Sequence, residues 1–326
     1  MVSGLRALRR RVLTPKVAET SLDVRGFHKK SPEAQEMLEA VGRTFLEGYA
    51  HALEARSVED AESRLEQVAA PLRGFAYEGA GMGFAMLDGL PFGHRHHVAD
   101  FLEGKAGRHV YMVYVGIGWA MARLPRFRWP KADSLDPLLR GLVLDGYGFH
   151  QAYFHTGRYV HERYQDPGFS WPDDASRSYS HHAIDQGIGR AMWFVGGTDA
   201  VKVASLIDAF PVSRQADLYS GAALAATYAG GADERELHVL RDRAGRFRQH
   251  LAQASAFAAE ARVRAGLLVP HTAVATRVLC GTTPESAARI TQDVRPSNPV
   301  NGDVPAYELW RQRIADEFAT LGGVHS

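Results

Sequence analysis

Pairs of glycines separated by one residue recur inside apolar, helix-like runs, and this pattern constrains the fold more than any other feature of the chain. Leu72-Arg73-Gly74-Phe75…Glu78-Gly79-Ala80-Gly81 aligns without a gap with Leu139-Arg140-Gly141-Leu142…Asp145-Gly146-Tyr147-Gly148, 67 residues further on. Val115-Gly116-Ile117-Gly118-Trp119-Ala120-Met121 matches Gln186-Gly187-Ile188-Gly189-Arg190-Ala191-Met192 at an offset of 71. Glu47-Gly48-Tyr49-Ala50 and Ser220-Gly221-Ala222-Ala223 are weaker copies, so the anchoring glycines are 48, 79, 116, 146, 187 and 221. A glycine inside a helix costs about 1 kcal/mol relative to alanine. Close approach between helices is the expected compensation, with the small residues at G, G+2 and G+4 forming a patch on one side of each helix.

Several stretches between copies carry a second amphipathic helix: Val58 to Val68, with apolar residues at 58, 61, 65 and 68, and Val201 to Phe210, closed by Pro211. Alternating strand runs with hairpin turns are not found. The expected fold is all-α, built of helical-hairpin repeats in an α/α solenoid or toroid. An N-terminal arm (1–35) precedes a repeat body (36–235), and a C-terminal helical extension (236–326) packs on that body. The cluster Arg6, Arg9, Arg10 and Arg11 reads as a solvated arm, because no apolar run follows it to make a signal peptide. Asp233 to Gly266 reads as one long charged helix; Thr283 caps another, and Asp303 the last.

Composition narrows the function. Hydrophobic residues make up 45% and charged residues 23%, as in an ordinary soluble domain. A formal net charge of +1 provides no general field for a nucleic-acid backbone. The apolar run from Val110 to Ala122 is too short to span a bilayer. Cys280, the single cysteine, excludes an internal disulfide and fits a reducing compartment, so a cytoplasmic location is expected. The G-x-G pairs follow no strand and lack Walker or GxGxxG spacing, which excludes nucleotide binding. No GxSxG elbow is present. Gly93-His94-Arg95-His96-His97 is histidine-rich but lacks companion ligands, and no metal or cofactor is assigned.

The repeat also serves as an internal control for chemistry. At G+4 five copies hold Ala or Gly and one holds His150. At G+3 the copies hold His51, Met82, Trp119, Phe149, Arg190 and Leu224, so His51 and Arg190 intrude on an apolar row. At G−1 stand Glu47, Glu78, Val115, Asp145, Gln186 and Ser220. Carboxylates beside a close-packed stripe need partners or shifted pKa values. His181 and Asp185, four residues apart, share one helix face. His150, Asp145, His181, Asp185 and Arg190 are therefore the candidate catalytic residues. Tyr147, Phe149, Tyr153, Phe154, Trp119 and Trp193 are candidate cavity walls, and Glu78 belongs with the substrate-binding set.

The string Ile184-Asp185-Gln186-Gly187-Ile188-Gly189-Arg190-Ala191-Met192-Trp193-Phe194-Val195, with Asp145-Gly146-Tyr147-Gly148-Phe149-His150, resembles the UnbL-like family, a domain-of-unknown-function family encoded beside enediyne polyketide synthases in actinomycetes. Phe210-Pro211…Arg214 and Ala216-Asp217-Leu218-Tyr219-Ser220-Gly221 extend the resemblance, which covers about residues 20 to 290. It implies a pathway, the conversion of a linear polyene into an enediyne core, and no particular reaction. The leading expectation is an enzyme or enzyme component acting on that hydrophobic intermediate. The alternatives are a non-catalytic helical scaffold for the polyketide synthase or its intermediate, and a metal oxidase.

Overall fold

The computed structural model describes residues 10–11, 13–91, 96–172, 179–297 and 304–321, and the described residues form helices and no strands. The principal helices are α1 (Pro32–Glu54), α2 (Val58–Leu65), α3 (Ala70–Asp88), α4 (His97–Glu103), α5 (Val110–Met121), α6 (Arg140–Phe154) and α7 (Ser180–Val195). They continue with α8 (Ala200–Asp208), α9 (Val212–Tyr228), α10 (Glu234–Ala244), α11 (Arg248–Ala265), α12 (Pro270–Cys280), α13 (Pro284–Asp293) and α14 (Ala306–Leu321). The protein is all-α. None of the described helices is long and apolar enough to cross a membrane.

Local sequence sets most boundaries. Ser31 caps α1 by accepting the Ala34 N–H, with Pro32 in the first turn, and Thr283 does the same for α13 ahead of Pro284. Asp233 and Glu236 form a capping box at α10. The single helix expected from Asp233 to Gly266 is two helices, α10 and α11. Gly245, at φ +51°, turns the chain between them. The cap expected at Asp303 lies outside the described residues, as do Arg6, Arg9 and residues 93–95 of the histidine-rich segment. Arg10 is exposed and pairs with Glu54 at 2.9 Å.

Helices α3, α5, α6, α7, α9 and α11 pack in chain order as an inner layer, and α1 packs on α3. Neighbours run parallel. Tyr77 of α3 stacks on His109 just before α5, while Gly89 after α3 meets Leu124 after α5. Likewise Gln186 of α7 donates to Asp145 of α6 low in that pair, and Phe194 meets Phe149 higher up. The layer curls back on itself. From α11, the Arg262 guanidinium donates to the Pro71 carbonyl at the start of α3 and to the Tyr228 carbonyl, at 2.9 and 2.6 Å. Tyr111 donates to Glu260 at 3.3 Å, and Phe75 meets Tyr228 edge-on at 5.2 Å. Regular hairpins are not kept throughout, since 3-10 turns and irregular chain link α5 to α6.

The glycine pairs make this layer possible, in a way that corrects the one-sided patch. At about 100° per residue, G and G+2 lie about 200° apart and face opposite sides of a helix. The first glycine meets the preceding helix: a Cβ on Gly187 would stand 1.9 Å from the Asp145 carbonyl oxygen, and on Gly146 2.0 Å from that of Val115. The second meets the following helix: a Cβ on Gly148 would stand 2.1 Å from the Ile184 oxygen, and on Gly189 2.1 Å from that of Leu218. Gly48 contacts Ala76 of the helix that follows, so it is a second glycine and the first repeat copy is displaced by two residues.

Both ends of the axis are covered. At one end α1 and the segment before it cross the C-terminal ends of the inner helices. The His28 N–H donates to the Val195 carbonyl at 2.9 Å, and Lys30 Nζ to Gly231 O and Glu236. At the other end α14 lays Tyr307 against Gly141 and Gln186 and buries Trp310, whose indole N–H donates to Thr291 O. Replacing Gly187 by Ala forces backbones apart and is expected to lower stability by about 3 kcal/mol or more. Gly157→Ala, where a Cβ meets nothing within 4 Å, is expected to stay within about 1 kcal/mol of wild type. Urea unfolding of the two variants checks this; equal effects would contradict the close-approach account.

Candidate functional site

The rows that face the ring axis follow from the glycine directions. With G toward one neighbour and G+2 toward the other, G−1, G+3 and G−4 point inward and G+1 points out. Met82, Trp119, Phe149, Arg190 and Leu224, all at G+3, line one cavity of about 350 Å³, together with Glu78 at G−1 and Phe75 at G−4. Val41, Gly42, Phe45 and Leu46 of α1 and Pro15, Glu19 and Thr20 before it form its roof. Arg123 is exposed and marks its mouth. Its size and aromatic walls are those of a small-molecule site.

Polar groups are few inside it and are concentrated at one place. Glu78 accepts the Trp119 indole N–H at 3.0 Å, and Arg190 Nη2 stands 3.7 Å from the same carboxylate. Behind Arg190, Asp145 Oδ1 lies 3.0 Å from the guanidinium Nε, in contact but without hydrogen-bond alignment. Gln186 donates to the other Asp145 oxygen at 2.8 Å and also to the Tyr307 hydroxyl at 3.0 Å. The guanidinium sits over the Phe149 ring at 4.9 Å. Burial pushes the Glu78 carboxyl up to about 7, against the pull of Arg190 and with Asp145 adding to the rise. Burial also raises Asp145, opposed by Arg190 and Gln186. Glu78 therefore exists in both protonation states near neutral pH, as a proton donor or acceptor at a cavity wall must.

His150 lines the same cavity, edge-on to Trp119 at 5.5 Å and tilted against Phe154 at 4.7 Å. Its Nδ1 has no hydrogen-bond partner among the described residues. Burial, reinforced by Arg123 and His155, pushes its imidazole down to about 3, so it is neutral at physiological pH. Tyr153 and Phe154 complete this wall.

The remaining sequence candidates lie elsewhere. Asp145 supports Arg190 from behind the cavity wall. Tyr147, at G+1, points outward onto Trp129 and Phe169 and shares a small outer cleft with His181 and Asp185. Asp185 is held by both arms of Arg214, at 2.6 and 2.8 Å. His181 forms no pair with it; the neighbouring His182 bonds Asp217 at 2.7 Å, and Asp217 in turn accepts from Arg311. Trp193 is fully buried and donates to Gly230 O, outside the cavity. His51, the other intruder at G+3, stands near Glu47 away from the axis, as the displaced first copy requires. Among the described residues no group of three or more His, Cys, Asp or Glu is placed to hold a metal. The residues missed by sequence, Phe45, Phe75, Met112 and Tyr228, are apolar or aromatic and were not distinguished from ordinary core.

Folded Glu78 keeps to about pH 7 a proton that the unfolded chain releases near 4.5. The stability associated with that proton is complete below 4.5 and lost as pH rises through 7. Relative to Glu78→Gln, the wild type is expected to lose on the order of 3 kcal/mol between pH 4.5 and 8. Urea midpoints of both proteins across this range check it, and a constant difference would contradict it.

Residues 4–318 match the family described as "Protein of unknown function (DUF1702)", and the chain belongs to that family. No curated protein and no solved structure matches it.

Proposed function

We propose that this member of the family acts in enediyne natural-product biosynthesis, on a linear polyene or polyketide intermediate during core formation. The observation that carries the reading is the aromatic axial cavity with one proton-active carboxyl, Glu78, held in its wall by Arg190 and Trp119. The pathway comes from the sequence resemblance, and the cavity supplies a place for its apolar intermediate. Phe75, Trp119, Phe149 and Leu224 offer rings and aliphatic surface to a conjugated chain. Glu78 then exchanges a proton with the chain, and Arg190 steadies the carboxylate that results. Neutral His150, packed against Trp119, offers a second donor or acceptor in the cavity wall. A scaffold for the synthase would not depend on these polar groups, so substitutions at them tell the two readings apart.

His150→Ala, which places at G+4 the residue most other copies carry, is expected to keep its helical circular dichroism and to bind diphenylhexatriene, a neutral linear polyene that fluoresces in apolar sites. In a producing strain the same variant is expected to lose the enediyne core. Normal product titre from this variant would overturn the role of His150, and normal titre from Glu78→Gln as well would overturn the catalytic reading and favour the scaffold.

A further inference from the structure

The axial cavity does not end at Arg190. A second, smaller chamber of about 40 Å³ lies beyond it, lined by Tyr111, Leu142, Ala258, Phe257 and Trp310. Met112, Arg190, Leu224 and Tyr228 belong to the walls of both chambers and form the partition between them. Arg190 is fixed by Asp145 and Glu78, but Met112 and Leu224 are held only by apolar packing. An unbranched Met with three rotatable bonds gives way at little cost. Its walls are mostly rings and aliphatic side chains, which accept an apolar group.

From this arrangement we infer that the inner chamber is the far end of one axial ligand site and selects linear apolar chains by length. The inference rests on the reading that the outer chamber takes such a chain. The parallel helices set the scale. Arg123 at the mouth and Tyr111 in the inner chamber are twelve residues apart on α5 and its extension, roughly 18 Å of axial rise. Phe154 and Leu142 bracket the same span on α6. A chain that fills only the outer chamber leaves Met112 and Leu224 in place. A longer one displaces them and lodges its end between Tyr111, Leu142 and Trp310. The partition is thus a threshold, and the size of the inner chamber sets the upper limit.

Displacement of diphenylhexatriene by octanol, dodecanol and hexadecanol tests this on the full chain. Ala258→Leu fills the inner chamber and is expected to weaken displacement by hexadecanol at least tenfold while leaving octanol within twofold. Leu142→Ala enlarges the chamber and is expected to strengthen hexadecanol severalfold, again without changing octanol; it carries the test alone where Ala258→Leu does not fold. Displacement with the same length profile in wild type and variants would overturn the inner-chamber assignment alone. No displacement by any alcohol would remove the outer-chamber reading and this one with it.

Discussion

Backbone-to-backbone contact at the glycine pairs is the constraint on which the rest of the molecule depends. At Gly187 and Gly221 a Cβ would stand 1.9 Å from a carbonyl oxygen of the preceding helix, which leaves no room for any side chain. Each inner helix from α3 to α7 gives one glycine to each neighbour, so its two contact faces are spent on packing. What remains is one strip facing the axis and one facing out. The axial strip, at G−4, G−1 and G+3, is where large or charged inner side chains meet those of distant helices. This is how Glu78 of α3, Trp119 of α5, Asp145 of α6 and Arg190 of α7 come together from far apart in sequence.

The same crowding gives these charges their character. Arg190 lies between two carboxyl groups, both buried, so full ionisation of both leaves one negative charge uncompensated in an apolar ring. Asp145 is stabilised by Gln186 as well as by Arg190. Glu78 has the indole N–H of Trp119 and a longer contact to Arg190, and it is the member whose carboxyl rises to about 7. The ion-pair cluster thereby places a group that changes protonation near neutral pH, Glu78, at the edge of the cavity. By contrast Asp217, at the end of the axis that α14 covers, has burial working against it, but Arg311 and His182 hold its carboxyl below the usual range.

The all-α class, the close helix approach and the singularity of His150 and Arg190 were legible in the repeat. The direction of each position was legible too, but it required turning the glycine pair into angles. Two residues are about 200° of helix, so the pair marks two neighbours and fixes the axis between them. That rule would have placed Tyr147, at G+1, and His181, six residues before Gly187, on the outside, and Arg190 and Glu78 inside. The role of α11 was not legible, because its buried residues Ser255, Ala256, Ala258 and Ala259 include no glycine and leave no anchor to align. Nor was the roof. Thr20, Leu22 and Phe27 are buried through contacts with distant helices, and nothing in their local sequence distinguishes them from an exposed arm.

The central claim is that the ring axis holds a linear apolar molecule between Phe75, Trp119, Phe149 and Leu224. A crystal structure of the protein grown with a linear conjugated polyene tests this directly. The account predicts continuous density along the axis, in contact with the Trp119 ring and passing beside Glu78 and Arg190. Density only on the outer surface, with the axial side chains collapsed together, would contradict it.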